Sequence, residues 1–165
     1  MDLETVQQQF KNANVSDTFG TRKEVKYLPE ILSDDEIIQY ATSGLVEGNT
    51  VLVVCTNERV LFVDKGMVYG VRSNEIPLDM VNGVSYSKGM LMGNIIVTNG
   101  AKDTLIKDVS KETAPLMVDA IKRSAKEYKR KLHQASQSSI ETDNISMLIS
   151  QNEKIISLLK QIAAK

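Results

Sequence analysis

Residues able to do covalent or metal chemistry are scarce in this sequence. It contains one cysteine, Cys55, and one histidine, His133. A nucleophile and base pair would have to join a thiol in an apolar stretch to an imidazole at the frayed end of a helix. A structural zinc site takes about four Cys or His ligands, which one of each does not supply. No glycine-rich loop of the phosphate-binding or dinucleotide type is present. Cys55 reads as a small buried residue and His133 as a surface residue near a helix C-terminus. Thr56-Asn57-Glu58-Arg59 mixes polar groups into apolar surroundings, but Thr and Asn are what a tight turn between two strands requires. Arg59 then needs an acidic partner, with Asp64 or Asp79 as candidates. The expectation is no enzyme, no catalytic residue, no metal and no cofactor.

Two constellations suit binding instead. Lys122, Arg123, Lys126, Lys129, Arg130 and Lys131 share one face of a helix. Such a face could contact an anionic membrane surface, each cation contributing ~1 kcal/mol. The alternatives are a solvated face or an intersubunit match to acidic residues elsewhere. Glu127 interrupts the run, aromatic residues make up 5% of the chain and the net charge is −1, a combination that weakens the case for nucleic acid, which is not expected as a partner. The second constellation is a heptad seam. Ile145, Leu148, Asn152, Ile155, Leu159 and Ile162 recur in steps of three and four, as in a coiled coil. Asn152 falls at an a position, where pairing with its symmetry mate favours a parallel dimer in one register. Ile149 and Ile156 add a second apolar edge that suits a trimer or packing on another helix. A seam without a core of its own implies a homo-oligomer. Folding back onto the rest of the chain, or onto Leu3, Val6 and Phe10, is the competing arrangement.

The elements that must position these residues follow from periodicity. The chain has 165 residues, 42% of them hydrophobic and 25% charged, which suits one domain with appendages. No apolar run approaches the ~20 residues of a membrane span, and no signal-peptide pattern opens the chain, so a cytoplasmic protein is expected. The near-zero charge conceals segregation: residues 1–47 hold nine acids and four bases, and residues 111–140 hold seven bases and three acids. Leu3, Val6, Phe10 and Ala13 predict an amphipathic N-terminal helix, followed by a polar tether through Arg22. A short second helix is expected from Leu28, with Pro29 in its first turn and Ser33 and Glu36 spaced as a capping box.

From Ile37 the character is β. Strands are predicted at Ile37–Ser43, Thr50–Cys55, Arg59–Asp64, Asn94–Thr98 and Thr104–Lys107, with two weaker ones at Val71–Pro77 and Gly83–Ser87. Pro77 must end its strand or lie at an edge. Turn residues separate them at 44–49, 56–58 and 99–103. A helix from Ser110 to Gln134 follows, with an apolar stripe of Leu116, Met117, Ala120, Ile121, Ser124, Tyr128 and Leu132. The stretch 134–139 reads as a polar linker.

Words distributed along the middle of the chain carry a resemblance. They are Tyr27-Leu28-Pro29-Glu30-Ile31-Leu32, Ala41-Thr42-Ser43-Gly44, the run from Cys55 to Gly66, Ile76-Pro77-Leu78-Asp79, Val84-Ser85-Tyr86-Ser87-Lys88-Gly89, Gly93-Asn94-Ile95-Ile96-Val97 and Val118-Asp119-Ala120-Ile121. Together they resemble the bacterial PH-like (pleckstrin homology) domains of the YokE type, found in Gram-positive bacteria and their phages. The resemblance implies a mainly β fold with α: a barrel or sandwich of about seven antiparallel strands capped by a C-terminal helix. It also implies a bacterial or phage origin. The helical C-terminal module of the SHOCT type that many relatives carry is lacking, and the heptad tail stands in its place. Eukaryotic PH domains that bind phosphoinositides set several Lys and Arg around the first hairpin. Here that hairpin, Gly44 to Thr50, has one acid and no base, and Leu45 and Val46 near its tip could meet a partner or simply pack.

The expected organisation is an N-terminal helix and tether (1–22), a PH-like domain with its capping helix (23–134), a linker (135–140) and a coiled-coil helix (141–165). The expected function is a non-enzymatic protein-interaction module that self-associates and binds a further protein partner. The alternative is a peripheral membrane adaptor using Lys122, Arg123, Lys126, Lys129 and Arg130.

Overall fold

The runs Val51–Cys55 and Val60–Val63 are apolar at every position, which in a β-strand means that both faces are covered. The computed structural model, which describes residues 1–16, 18–66, 70–100 and 102–163, shows what covers them. Asp17 of the expected tether, Ala101 of the expected turn and the last two residues of the expected tail lie outside the described residues. Seven antiparallel strands, β1 (Ile38–Val46), β2 (Asn49–Thr56), β3 (Arg59–Gly66), β4 (Gly70–Pro77), β5 (Val81–Lys88), β6 (Gly93–Asn99) and β7 (Lys102–Val109), form a sheet of order β4-β3-β2-β1-β7-β6-β5. A 3-10 turn over Leu78–Met80 links β4 to β5. All seven expected strands are present, and Pro77 satisfies both conditions set for it, as the last residue of an edge strand.

One face of the sheet encloses a core of Tyr40, Val53, Cys55, Phe62, Ile76, Ile95, Val97 and Ile106. Helix α3 starts at Thr113 and closes this core with Met117, Val118, Ile121 and Ala125. The stripe is rotated from the expected one: Leu116 and Leu132 are exposed, whereas Val118 and Ala125 are buried. The opposite face of β1–β3 presents Ala41, Leu52, Val54, Leu61 and Val63, which pack on Val6, Leu28 and Leu32. Helices α1 (Leu3–Asn12) and α2 (Arg22–Ile31) supply those last residues or end just before them, so the N-terminal segment is a second layer of the domain.

Local chemistry fixes the connections. Asp2 caps α1 by accepting from the Thr5 N–H at 2.7 Å. Gln9 of α1 donates to the Glu36 carbonyl at 3.2 Å and accepts from the Ile38 N–H at 2.6 Å, docking that helix on the start of β1. Glu47 and Gly48 both take positive φ (51° and 85°), the signature of a two-residue type I′ hairpin joining β1 to β2. Gly44 lies where β1 meets β7: a Cβ there would come within 2.6 Å of Ile106 Cγ2 and 3.1 Å of the Lys107 carbonyl.

Two further expectations are corrected. Helix α2 begins at Arg22 rather than Leu28, so Pro29 sits in its last turns, and Ser33 with Glu36 closes a tight turn rather than opening a helix. The expected break at 135–140 is absent, because α3 runs from Thr113 to Ala163. Its hydroxyls turn inward onto the helix's own carbonyls, Ser136 on Leu132 (2.9 Å), Ser138 on Ala135 (2.9 Å) and Thr142 on Ser138 (2.8 Å). These back-bonds satisfy the hydroxyls within the helix itself. The chain divides into two compact units, Met1–Lys129 and Arg130–Lys165.

Candidate functional site

In the second unit, every described position from Arg130 onward is exposed. Ile145, Leu148, Ile155, Leu159 and Ile162 are helical and between 53% and 71% exposed, and Ile149 and Ile156 beside them are 54% and 52% exposed. Asn152 is exposed on the same seam. The helix thus presents a stripe of large apolar side chains, one polar residue within it, and charged residues such as Glu153, Lys154 and Lys160 on its other sides. Full burial of a Leu or Ile side chain is worth about 1.5–3 kcal/mol. Val6 and Phe10 are engaged with the outer sheet face of the first unit.

The basic residues are split in their surroundings. Lys122, Arg123 and Lys126 are exposed, and Arg123 Nε reaches the Asp119 carbonyl at 3.4 Å. Lys129 is partly buried and donates its ammonium to the Val81 carbonyl at 2.6 Å, which binds α3 to β5. Arg130 is exposed and belongs to the second unit. The β1–β2 hairpin carries Glu47 and no cation; Val46 packs toward the core and Leu45 lies on the outer face.

The Thr56–Arg59 stretch is a structural junction. Thr56 Oγ1 accepts from the backbone N–H groups of Glu58 and Arg59, both at 3.1 Å, and donates to Glu36 Oε1 at 2.7 Å. Asn57 Oδ1 accepts from the Ile37 N–H at 2.6 Å. Arg59 pairs with neither Asp64 nor Asp79. Its Nε and Nη2 donate to the two oxygens of the fully buried Glu36 at 2.9 and 2.8 Å, Nη2 also donates to the Ile31 carbonyl at 3.0 Å, and Nη1 pairs with Glu75. Burial opposes ionisation of Glu36, but hydrogen bonds from Arg59, Thr56 and the Ser33 N–H, together with the Arg59 charge, outweigh it and hold the carboxyl below its ordinary value. The hydrogen bond to Glu36 raises the Arg59 pKa further still. A pair held ionised near neutral pH, with both carboxylate oxygens hydrogen-bonded, has no proton to exchange there and reads as structural. The Ser-x-x-Glu spacing did locate one of the bonds to Glu36, from the Ser33 N–H.

Cys55 is buried, and burial pushes its thiol up to about 12. A thiol so placed is not a nucleophile at physiological pH. His133 is exposed. Among the described residues, no group of three or more His, Cys, Asp or Glu is placed to hold a metal ion, and no helix is long and apolar enough to cross a membrane.

The chain has counterparts among known proteins. A family model described as a bacterial PH domain matches residues 32–123, more than half of the chain. The chain belongs to that family. Solved structures similar to this bacterial PH domain include a pleckstrin homology domain from Shewanella amazonensis SB2B, at 20% identity and a TM-score of 0.46 over 67% of this chain and 91% of that one. Another is a DUF1696 family protein with a pleckstrin-homology domain from Shewanella loihica PV-4, at 19% identity and a TM-score of 0.44 over 64% and 90%. No curated protein matches the chain. In this bacterial PH domain the family match spans the seven strands and the start of α3. Helices α1 and α2 and the seam-bearing tail lie outside it.

Proposed function

We propose that this bacterial PH domain protein is a non-enzymatic interaction module that self-associates through residues 141–163 and offers its sheet domain to a protein partner. The observation that carries the reading is the exposed helical seam of Ile145, Leu148, Ile155, Leu159 and Ile162. A second copy of the same helix matches it in chemistry and length. Asn152 at an a position adds a register signal, since two asparagines facing each other in a parallel pair satisfy their amides while an asparagine facing isoleucine does not. Association gives each sheet domain a high effective concentration against a multivalent target, so a weak individual contact suffices. The absence of a catalytic role accords with the buried thiol of Cys55, the filled Arg59–Glu36 pair and a family that is generally non-catalytic.

Sedimentation velocity on the full chain tests the reading. The native protein is expected to sediment as an oligomer, and the Ile155→Asp, Leu159→Asp double variant as a monomer with unaltered unfolding of the sheet domain. A native chain that is monomeric at tens of micromolar overturns it.

A further inference from the structure

Glu24 is 5% exposed, a carboxylate inside the layer that α2 forms on the outer sheet face. One of its oxygens accepts from the Lys65 N–H at 3.0 Å, and the other, Oε2, is buried with no hydrogen-bond partner. Leaving such an oxygen without a donor costs about 1–3 kcal/mol, and the chain itself does not supply the missing one. Glu24 lines a hollow of about 780 Å³, walled by the tether, the start of α2, Thr50 of β2 and the end of β3 from Asp64 to Gly66. This hollow has two poles. Glu24 and Asp64 are its acceptors. Its donors gather at the start of α2, where Thr21 makes no side-chain cap and its hydroxyl donates to the Thr18 carbonyl at 2.8 Å. The N–H groups of Arg22, Lys23 and Glu24 therefore have no acceptor among the described residues, and the Arg22 and Lys23 side chains are exposed beside them. The third lining cation, Lys65, is engaged elsewhere, with its ammonium 4.3 Å from the centroid of the Tyr27 ring.

We propose that this hollow binds a small zwitterion, a free α-amino acid with an apolar side chain. Its ammonium bonds Glu24 Oε2 and Asp64, its carboxylate meets the start of α2 with Arg22 and Lys23, and its side chain lies on Phe19. An ammonium brings the donors that Oε2 lacks, and the uncapped N-terminus of a helix favours a carboxylate. The two acids repel a multiply charged anion such as phosphate, while the two exposed cations repel a simple amine. The lining therefore selects a ligand that carries both charges and no net one. Phe19, 88% exposed at the rim, supplies the apolar contact. The tether and α2 precede residue 32, where the family match begins, so the donors and the buried acid belong to the chain's own N-terminal layer.

NMR titration of the full chain with L-leucine tests the proposal, beside leucinamide, which lacks the carboxylate, and isocaproate, which lacks the ammonium. Leucine is expected to bind at least about tenfold more tightly than either fragment, since each fragment leaves one pole of the site unpaired. Inorganic phosphate is expected not to displace it. Glu24→Gln keeps an acceptor for the Lys65 N–H, and is expected to weaken leucine binding at least about tenfold while the circular dichroism spectrum stays native. The Arg22→Gln, Lys23→Gln variant changes only exposed positions, and is expected to weaken leucine binding while leaving leucinamide unaffected. Ile155→Asp, Leu159→Asp is expected to bind leucine as the native chain does. No leucine binding up to about 10 mM, fragments that bind as well as leucine, displacement by phosphate, or unweakened leucine binding in either pocket variant overturns the proposal.

Discussion

Replacing Arg59 by Met tests the junction at the base of the sheet. The substitution keeps the aliphatic stem but removes the guanidinium, leaving a fully buried Glu36 carboxylate with two of its four donors, the Thr56 hydroxyl and the Ser33 N–H. Breaking a buried pair by removing one partner costs about 3–5 kcal/mol, because the remaining charge stays desolvated. The Arg59 side chain is 20% exposed, so water can partly replace it. The bond to Glu75 adds little, since that carboxylate is half in solvent. The Ile31 carbonyl loses its donor as well, at about 1 kcal/mol. The balance is a loss of about 3 kcal/mol, or about 10 °C in melting temperature for a unit of this size. Urea denaturation followed by circular dichroism measures it. Adding Glu36→Gln to the Arg59→Met background should recover about 1–2 kcal/mol by removing the stranded charge. A single-variant loss below about 1 kcal/mol, with no recovery in the double variant, would refute the argument that Glu36 is a buried ion held by Arg59.

The same pair sets an acid limit. The folded-state pKa of Glu36 lies below its ordinary value of 4.5, so the unfolded chain takes up this proton first as pH falls. Stability from Glu36 is full above that value and declines below it until the folded-state group also protonates. Melting temperature should fall across this window in the native protein and more shallowly in Glu36→Gln. Gly44→Ala forces a methyl to within 2.6 Å of Ile106 Cγ2, and should lower stability by about 1–3 kcal/mol as an overpacked site; an unchanged urea midpoint would contradict the close approach of β1 to β7. Cys55, buried with its thiol at about 12, should be inert to a disulfide reagent at pH 8 and titrate fully in about 6 M guanidinium. Rapid labelling of the native protein would show that the strand core opens.

The strands were legible because each carries β-branched residues at intervals set off by turn formers, and even the weaker Val71–Pro77 and Gly83–Ser87 have pairing partners in β3 and β6. Helix α2 was harder to read because its buried residues are Glu24 and Leu28, and a buried acid leaves no apolar period. Glu24 is there to accept from the Lys65 N–H of β3 at 3.0 Å. Of the two acidic partners of Arg59, Glu36 was hidden by sequence distance, whereas Glu75 lies closer along the chain than Asp79 and is brought beside Arg59 only by the pairing of β3 with β4. The unbroken apolar runs of β2 and β3 do signal a second covering layer, and the Met90-Leu91-Met92 turn between Gly89 and Gly93 is readable as apolar surface where turn chemistry calls for polarity. The heptad spacing of Ile145 to Ile162 is fully visible in sequence. The use of Lys129 on the Val81 carbonyl is not, because charge patterning locates an ammonium without showing where it is bonded.

Helices α1 and α2 also bear on how the protein can be divided for study. The family match begins at residue 32, and a fragment started there would strip Val6 and Leu28 from the outer face of β1–β3. Ala41, Leu52, Val54, Leu61 and Val63 would then lie bare on three adjacent strands, a flat apolar surface that promotes aggregation. Soluble expression therefore demands cloning boundaries wider than homology suggests, with a first codon no later than that for Asp2, whose carboxylate caps α1.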